Sequence, residues 1–250
     1  MPPLPVLQVR PAESHPSRAE YLTAEHVALM GNSALFAGIP PHQCREIAAA
    51  ARPRVFASDE ILFMQGHPVT THLLIRSGNV KITQVSDTGC EVVLWMNGPG
   101  ESVGIPNEAP CCFHACSARA MQRCHTLTWE DPLFQSMILK HPQISVNINR
   151  MLSVQLNELE QRFCEIATER VAVRLSRALL RLAAQLGTPI LGGIEVSLSR
   201  EELAQMIGTT VFTVSRILSR WGEEGIIAPR RDAVIVYDSQ RMLLAGVDTA

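Results

Sequence analysis

Apolar residues in the first half of the chain recur with the period of two that is typical of β-strands. Short strands joined by glycine turns predict a small antiparallel barrel or roll. The apolar runs lie at residues 61–63, 73–75, 80–85 and 92–96, and the turns between them contain Gly66, Gly78 and Gly89. A short helical segment over residues 24–51 precedes them, and helical periodicity returns after about residue 130.

The later helical region carries one long apolar stripe. Its members recur at intervals of four, three, four and three residues, and they are Leu152, Leu156, Leu159, Phe163 and Ile166. Such a stripe is expected where one long helix pairs with another helix. The alternative is that it packs on the roll of its own chain. Because the other faces of the helix are polar and the helix lies between two domains, we favour a two-fold contact between two copies.

The segment from Leu198 to Trp221 has the spacing of two helices joined by a tight turn. Ser199 and Glu202 form a capping box at the start of the first helix, and Gly208 ends that helix. Thr209 or Thr210 caps the second helix. This is the arrangement in which a helix-turn-helix presents side chains to DNA. The apolar positions that would hold the two helices together are Leu203, Ala204, Ile207, Val214, Ile217, Leu218 and Trp221.

The opposite side of the second helix would then face the major groove. Residues 226–237 follow as two short apolar strands around a charged turn, which predicts the wing of a winged helix, with Arg230 and Arg231 placed to meet phosphates. The alternative is that the helix pair is only core packing, but an exposed Ser-Arg pair beside a capped turn argues against it. The candidate groove-facing residues are Thr210, Val211, Phe212, Ser215, Arg216, Ser219 and Arg220.

Composition narrows the class of protein. A chain of 250 residues with 46% hydrophobic and 18% charged residues can fill the cores of two domains. The net charge of −2 excludes a generally basic coat, so any contact with nucleic acid must come from local arginines. The sequence contains no apolar stretch of about 18 residues and no basic-then-apolar start. We therefore expect a cytoplasmic protein without membrane contact, whose seven cysteines are reduced thiols or ligands.

These patterns divide the chain into four parts. Residues 1–22 are rich in proline and predict a flexible arm. The strand-rich domain spans residues 23–140, the long helix residues 141–168, and the domain with the helix pair residues 169–250. The predicted fold class is α+β.

The order of these parts and several motifs resemble the CRP/FNR family of bacterial transcription regulators. The matching motifs are Gly66, the turn at Ser77 and Gly78, the Gly100-Glu101-x-Val103-Gly104 segment, and residues 208–216 with their Thr-Val-Ser-Arg ending. The resemblance covers residues 32–240 and implies a β-roll sensor domain, a long dimerisation helix and a winged helix-turn-helix domain. It also implies a homodimer that binds palindromic double-stranded DNA, with RNA polymerase as a further partner.

The sequence departs from that family where the signal is received. Members that bind cyclic AMP resemble the chain up to Glu101, but they then use an Arg-Ser pair for the cyclic phosphate. That position falls near His114 and Ala115 in this chain. Oxygen-sensing members hold an iron–sulfur cluster through cysteines that mostly precede the sensor, and no cysteine precedes Cys44 here. We therefore expect neither cyclic AMP nor that arrangement of cluster ligands.

A cysteine-rich segment takes the place of these features. Thiolate and imidazole are the ligands that iron–sulfur clusters, zinc, copper(I) and haem require. An iron–sulfur cluster, haem, another metal, or a thiol switch without any cofactor all remain open, and haem gains slightly from a resemblance to the CO-sensing member of the family. The candidate metal ligands are Cys111, Cys112, His114 and Cys116, and Cys124 completes the candidate sensor site.

Together these features predict a homodimeric DNA-binding transcription regulator that responds to a redox, gas or metal signal. An alternative from another class is a thiol enzyme or a metal-storage module that uses Cys111, Cys112 and His114. No glycine-rich phosphate loop, pair of acid/base carboxylates or oxyanion motif accompanies those residues. We therefore expect the protein not to be an enzyme.

Overall fold

The computed structural model describes residues 18–104 and 113–248, with side chains described from residue 24 to residue 246 within those ranges. The first helix begins at Arg18. Residues 18–22, which the sequence analysis assigned to the flexible arm, belong to this helix. The rest of the predicted arm lies outside the described residues, as do Cys111 and Cys112.

The described residues form a mixture of helices and strands, which confirms the α+β class. The helices are α1 (Arg18–Gly31), α2 (Pro41–Ala49), α3 (Asp131–Lys140), α4 (Gln143–Thr168), α5 (Val171–Leu186), α6 (Arg200–Ile207), α7 (Val211–Glu223) and α8 (Ser239–Asp248), with a 3₁₀ turn at Ala34–Phe36. The strands are β1 (Arg52–Phe56), β2 (Ile61–Phe63), β3 (Thr71–Ser77), β4 (Val80–Val85), β5 (Glu91–Asn97), β6 (Ser102–Val103), β7 (Ser117–Ala120), β8 (Cys124–Glu130), β9 (Thr188–Ile190), β10 (Gly193–Val196), β11 (Ile227–Pro229) and β12 (Val234–Val236).

Strands β1 to β8 form a roll of two four-stranded antiparallel sheets, in the orders β1-β8-β3-β6 and β2-β7-β4-β5. The four apolar runs of the sequence are β2, β3, β4 and β5, so the predicted antiparallel roll is confirmed. Gly78 turns the chain between β3 and β4 with a φ of +88°, and a Cβ there would lie 2.6 Å from Cys124 Sγ. Only glycine fits this turn without displacing the core. That core includes Phe56, Leu73, Ile75, Val80 and Ile82.

A layer of helices covers one side of the roll and fixes the base of α4. The fully buried Trp129 of β8 donates its Nε1 hydrogen to the carbonyl oxygen of Ile47 at 2.8 Å. On α4, the buried amide of Asn147 donates to the carbonyl oxygens of Leu35 at 2.9 Å and Ala37 at 2.8 Å. Beyond Ile148, only Glu165 is buried among the residues of α4. Most side chains in the middle of the helix are therefore exposed.

The C-terminal domain packs α5, α6, α7 and α8 around a four-stranded sheet of order β11-β12-β10-β9. The predicted pair of strands around residues 230–232 is confirmed as β11 and β12, and Arg230 N donates to Ala233 O at 2.8 Å to close the turn. The β9–β10 hairpin and α8 were not predicted. Within the part of the chain that the structure describes, no helix is long and apolar enough to span a membrane.

The roll and the C-terminal domain share a hydrophobic core, a contact that the sequence did not predict. Strand β5 packs against α6. Val93 and Met96 of β5 belong to the same buried cluster as Leu203 and Trp221 of the helix pair. The two domains are therefore joined by packing as well as by α4.

Candidate DNA-binding surface and sensor cavity

The helix pair has the caps that the sequence predicted. Ser199 Oγ accepts a hydrogen bond from Glu202 N at 3.2 Å, and Glu202 Oε2 accepts one from Ser199 N at 2.9 Å. Gly208 ends α6 with a φ of +66°, in the left-handed region that favours glycine. Thr210 is the cap of α7, because its Oγ1 accepts from Thr213 N at 3.2 Å. The predicted helix-turn-helix is therefore confirmed.

The two sides of α7 differ in the way that a recognition helix requires. Its inner side is buried, with Val214 at its centre. On its outer side, 75% of the surface of Phe212 and 43% of that of Val211 is exposed. Arg216, one turn further on, is also exposed, and Ser215 beside it is half-buried. Arg216 forms no ion pair with any of the described residues. An aromatic ring and a free guanidinium therefore project from the same side.

Two other arginines predicted to contact DNA are paired within the chain. Arg220 Nε lies 3.3 Å from Glu224 Oε1, and Arg230 Nη1 lies 2.9 Å from Glu195 Oε2. Each of these arginines has a side chain that is more than half exposed, and surface pairs of this kind are weak enough to exchange for phosphate. The side chain of Arg231 is 96% exposed. Arg231 is therefore the most open cation of the wing.

A buried arginine that sequence analysis missed connects the helix pair to the long helix. Arg174 of α5 donates from Nε to the carbonyl oxygen of Ile207 at 3.1 Å and from Nη2 to that of Gly208 at 3.3 Å. Its Nη1 donates to the carbonyl oxygen of Glu169, just beyond α4, at 2.9 Å. One feature of the sequence could have indicated that Arg174 is buried. It lies one helical turn before Ala178, on the buried side of α5.

The apolar stripe on α4 is largely uncovered within the chain. Phe163 is 73% exposed and Leu156 is 57% exposed, and Leu152 and Ile166 are also exposed. Leu159 is partly buried. The alternative in which the stripe packs on its own roll is therefore wrong for most of its length. A contiguous run of large apolar side chains at a surface marks an interaction site, and the dimer contact stays a prediction.

A cavity of about 260 Å³ lies between the roll and α4. The sequence between Glu101 and Arg119 contains no Lys or Arg, and none lines the described part of the cavity. A cyclic phosphate would therefore find no guanidinium or ammonium group there to neutralise it. The lining residues include Phe63, Trp95, Asn97, Ser102, His114, Cys116, Leu152 and Gln155.

His114 forms part of the wall of this cavity and is 92% buried, with 8% of its surface exposed. Its ring stacks on Phe63, with 3.8 Å between the ring centroids and 8° between the planes. Its backbone N donates to His67 O at 2.9 Å, and its carbonyl accepts from Gly66 N at 2.8 Å. Burial lowers the pKa of His114, and the neighbouring His72 and His67 lower it further. The neutral imidazole that results is the form that binds metal ions and haem iron.

The structure separates the two described cysteines of the candidate sensor site. Cys116 lines the cavity, and burial raises the pKa of its thiol. Cys124 is instead fully buried in the core of the roll, where its Sγ donates to Asn79 O at 3.1 Å. The structure thus brings Cys116 and His114 together at the cavity, but Cys124 is absent from the described lining. In residues 18–104 and 113–248 no cluster of three or more His, Cys, Asp or Glu side chains is arranged to hold a metal ion.

Two known protein families match parts of this sequence. The cyclic nucleotide-binding domain family matches residues 53–141, which contain most of the roll. The Crp-like helix-turn-helix domain family matches residues 173–243, which contain most of α5 and all of α6, α7 and the wing.

Individual relatives match across both domains. The chain is 26% identical over 216 residues to a CRP-like cAMP-activated global transcriptional regulator of Mycobacterium tuberculosis, covering 86% of this chain and 96% of that protein. It is 26% identical over 204 residues to the transcriptional activator protein Anr of Pseudomonas protegens, covering 80% and 82% of the two chains. The c-di-GMP responsive global regulator CLP of Xanthomonas campestris has the same fold, with a TM-score of 0.69, 23% identity, and coverage of 80% of this chain and all of that one.

The roll, the long helix and the capped helix pair with its wing define the class of two-domain regulators that join a β-roll to a winged helix-turn-helix. The relatives that match both domains are transcription regulators with a DNA-binding helix-turn-helix. The chain belongs to the CRP/FNR family of transcription regulators.

Proposed function

We propose that this protein is a homodimeric, sequence-specific DNA-binding transcription regulator. The observation that carries the proposal is the outer side of α7, where Phe212 and Arg216 are exposed while the opposite side of the helix is buried. A free guanidinium on a recognition helix suits the O6 and N7 atoms of guanine. Thr210, Val211 and Ser215 lie around these two residues and complete the surface that would enter the major groove.

The dimer follows from the exposed stripe on α4. Two copies that pair along this stripe would be related by a two-fold axis, and their recognition helices would read two half-sites of a palindrome about one helical turn apart. Such regulators act on transcription through RNA polymerase, which we propose as the third partner.

We further propose that the signal is redox, gas or metal, and that residues 111–116 receive it rather than a cyclic AMP site. In support, the neutral His114 and the thiol of Cys116 both line the cavity, and the segment has no Lys or Arg. Leu152 supports a route for the signal, because it lines the cavity and also belongs to the dimer stripe. A ligand or an oxidation there would shift α4 and so change the population of DNA-binding dimer geometries.

One preparation tests these proposals together. Protein purified without oxygen is used to select binding sites from a random DNA pool, its mass is measured in solution, and its absorption spectrum and metal content are recorded. Recovery of palindromic sites by a dimer supports the regulator, and a Soret band, cluster absorption or neither separates haem, an iron–sulfur cluster and a thiol switch. Thiol-dependent turnover without DNA affinity would instead support an enzyme that uses Cys111, Cys112 and His114.

A further inference from the structure

One ion pair links the roll directly to the first helix of the helix-turn-helix. Lys81 Nζ of β4 lies 2.8 Å from Glu202 Oε1 of α6, across 121 positions of sequence. The side chains are only 15% and 17% exposed. The second lysine of the chain, Lys140, also forms an ion pair, but its partner Glu46 is in the same domain and both side chains are more than half exposed.

The two oxygen atoms of Glu202 have separate partners. Oε2 accepts hydrogen bonds from Ser199 N and from Ser199 Oγ, both at 2.9 Å, and so completes the capping box of α6. Oε1 is left to accept from Lys81. Burial alone would raise the pKa of Glu202, but the hydrogen bonds from Lys81 and Ser199 outweigh it and hold the pKa below its usual value. One carboxylate therefore both starts the helix and attaches it to the roll.

The surroundings of this pair limit its exposure to water. Beside it, β5 packs against α6, and Val93 and Met96 of β5 are buried in the same core as Leu203 of α6. Gln185 at the end of α5 donates to the carbonyl oxygen of Met96 at 2.9 Å. An ion pair at the edge of such a core is screened less than a surface pair. Its geometry is consequently more tightly coupled to the position of α6.

We propose that Lys81 is a positioning residue for DNA recognition, which holds α6 and the attached α7 in a DNA-competent orientation relative to the roll. The orientation leaves the reading side of α7 and the stripe on α4 exposed together, as DNA binding by a dimer needs. Because α6 and α7 pack on each other, a shift of α6 displaces α7 as well. This inference rests on the proposed function, since its main readout is DNA affinity.

The test is a double-mutant cycle with Lys81→Met, which keeps the length of the side chain, and Glu202→Gln, which can still complete the capping box. We expect each single variant to lose about tenfold in affinity for the selected palindrome, as loss of a hydrogen bond to a charged group implies. The double variant should lose no more than either single variant. Lys140→Met, the matched control, should bind as the wild type does. Unchanged or tighter binding by Lys81→Met, or additive losses, would overturn the proposal.

Amide hydrogen exchange without DNA separates this positioning role from general stability. In Lys81→Met, exchange should rise in α6 and in the facing strands β4 and β5, while β8 and α3 keep the wild-type rates. A uniform rise, or no change in α6, would contradict a positioning role. If wild-type protein binds no palindrome, the proposed function fails, and the exchange rates still decide whether Lys81 holds α6.

Discussion

The DNA specificity of this chain should differ at Phe212 from that of a recognition helix that has a carboxylate at the same position. A phenyl ring cannot accept the amino proton of cytosine, and it can contact only the methyl group of thymine or stack. We predict that the wild type favours T at the step that Phe212 reads, and that Phe212→Glu moves the preference toward C. The change in discrimination should be about 1 to 3 kcal/mol per base pair. Binding-site selection with both proteins from one random pool measures it.

The control for added negative charge is Leu243→Glu. Leu243 is exposed on α8, which belongs to the same C-terminal domain as Phe212 but is not part of the helix pair α6 and α7. This variant should weaken binding to all sequences alike, without a change in consensus. If wild type and Phe212→Glu select the same bases, Phe212 does not read the DNA.

His114 should make the stability of the fold depend on pH. Its pKa is lower in the folded chain than the ordinary value of 6.5, so the unfolded chain binds more protons as the pH falls through that value. The contribution of this residue to the free energy of unfolding is therefore retained above pH 6.5 and lost as the pH drops toward the folded pKa. We predict that His114→Phe, which keeps a ring beside Phe63, is less sensitive to acid than the wild type.

Denaturant unfolding at pH 7.5 and pH 5.5 gives the comparison. Burial also lowers the pKa of His26, with a further contribution from Arg76, but His26 is present in both proteins and cancels in the difference. A difference in unfolding free energy that does not vary with pH would show that His114 is not held neutral by the fold.

Local residue contacts could be predicted from sequence, and remote ones could not. Ser199 and Glu202 cap α6 because their spacing alone brings the two groups together, and Gly208 ends the helix for an equally local reason. Arg174 and Lys81 have partners that lie 33 and 121 positions away. The helical or strand periodicity around Arg174 and Lys81 does not indicate which distant residues are their partners.

At the scale of elements, the stripe on α4 should decide the oligomeric state. We predict that replacing Leu156 and Leu159 together by Glu destabilises the dimer by about 3 kcal/mol or more, because unpaired carboxylates would be buried in the contact. This corresponds to roughly a hundredfold rise in the dissociation constant. Sedimentation velocity over a range of protein concentrations measures it, with DNA affinity as a second readout.

Leu139→Glu is the matched control, since Leu139 is 83% exposed on α3 and does not belong to the stripe. It adds a carboxylate to an exposed apolar position on the helix that precedes α4 and should leave the dimer intact. A dimer of unchanged affinity in the Leu156 and Leu159 variant would place the contact elsewhere on the chain.

Two of the strands that sequence analysis missed, β1 and β7, have a weak apolar pattern. In β1, four of the five residues are exposed, and Arg52, Pro53 and Arg54 interrupt any apolar alternation. The core-facing residues of β7 are only alanines, Ala118 and Ala120. Their strand conformation is set by pairing with β8 and with β2 and β4, which are distant in sequence. The runs that were predicted have large apolar residues that identify a buried face without reference to a partner.

At the scale of the whole molecule, the cavity and the DNA-binding surface are connected by a continuous series of contacts. Leu152 of α4 lines the cavity, and the far end of α4 reaches Glu169, whose carbonyl oxygen accepts from Arg174. Arg174 in turn holds the turn carbonyls of Ile207 and Gly208. Lys81 forms a second connection between the roll and α6. We therefore propose these two series of contacts as the routes by which a change at the cavity would reorient α7.

The cysteine-rich segment should be where that change begins. We predict that replacing Cys111, Cys112 and Cys116 together by Ser abolishes the response of DNA affinity to oxidant, gas or metal, because Ser keeps the size of the side chain but supplies no thiolate. In the wild type the response should be about 5- to 150-fold, the usual range of coupling between two sites. DNA binding is measured by fluorescence anisotropy before and after separate additions of hydrogen peroxide, carbon monoxide and zinc.

The control removes thiols without touching the cavity. Cys90 and Cys164 are exposed elsewhere on the chain, so replacing both by Ser should leave the response unchanged. Because Cys116 carries a raised pKa, oxidation of the thiols should depend on Cys111 and Cys112, and Cys116→Ser alone should preserve a peroxide response while reducing a response to zinc or carbon monoxide. A triple variant that responds as the wild type does, with its fold and dimer intact, would remove Cys111, Cys112 and Cys116 from the sensor and leave His114 in the cavity wall as the residue to test next.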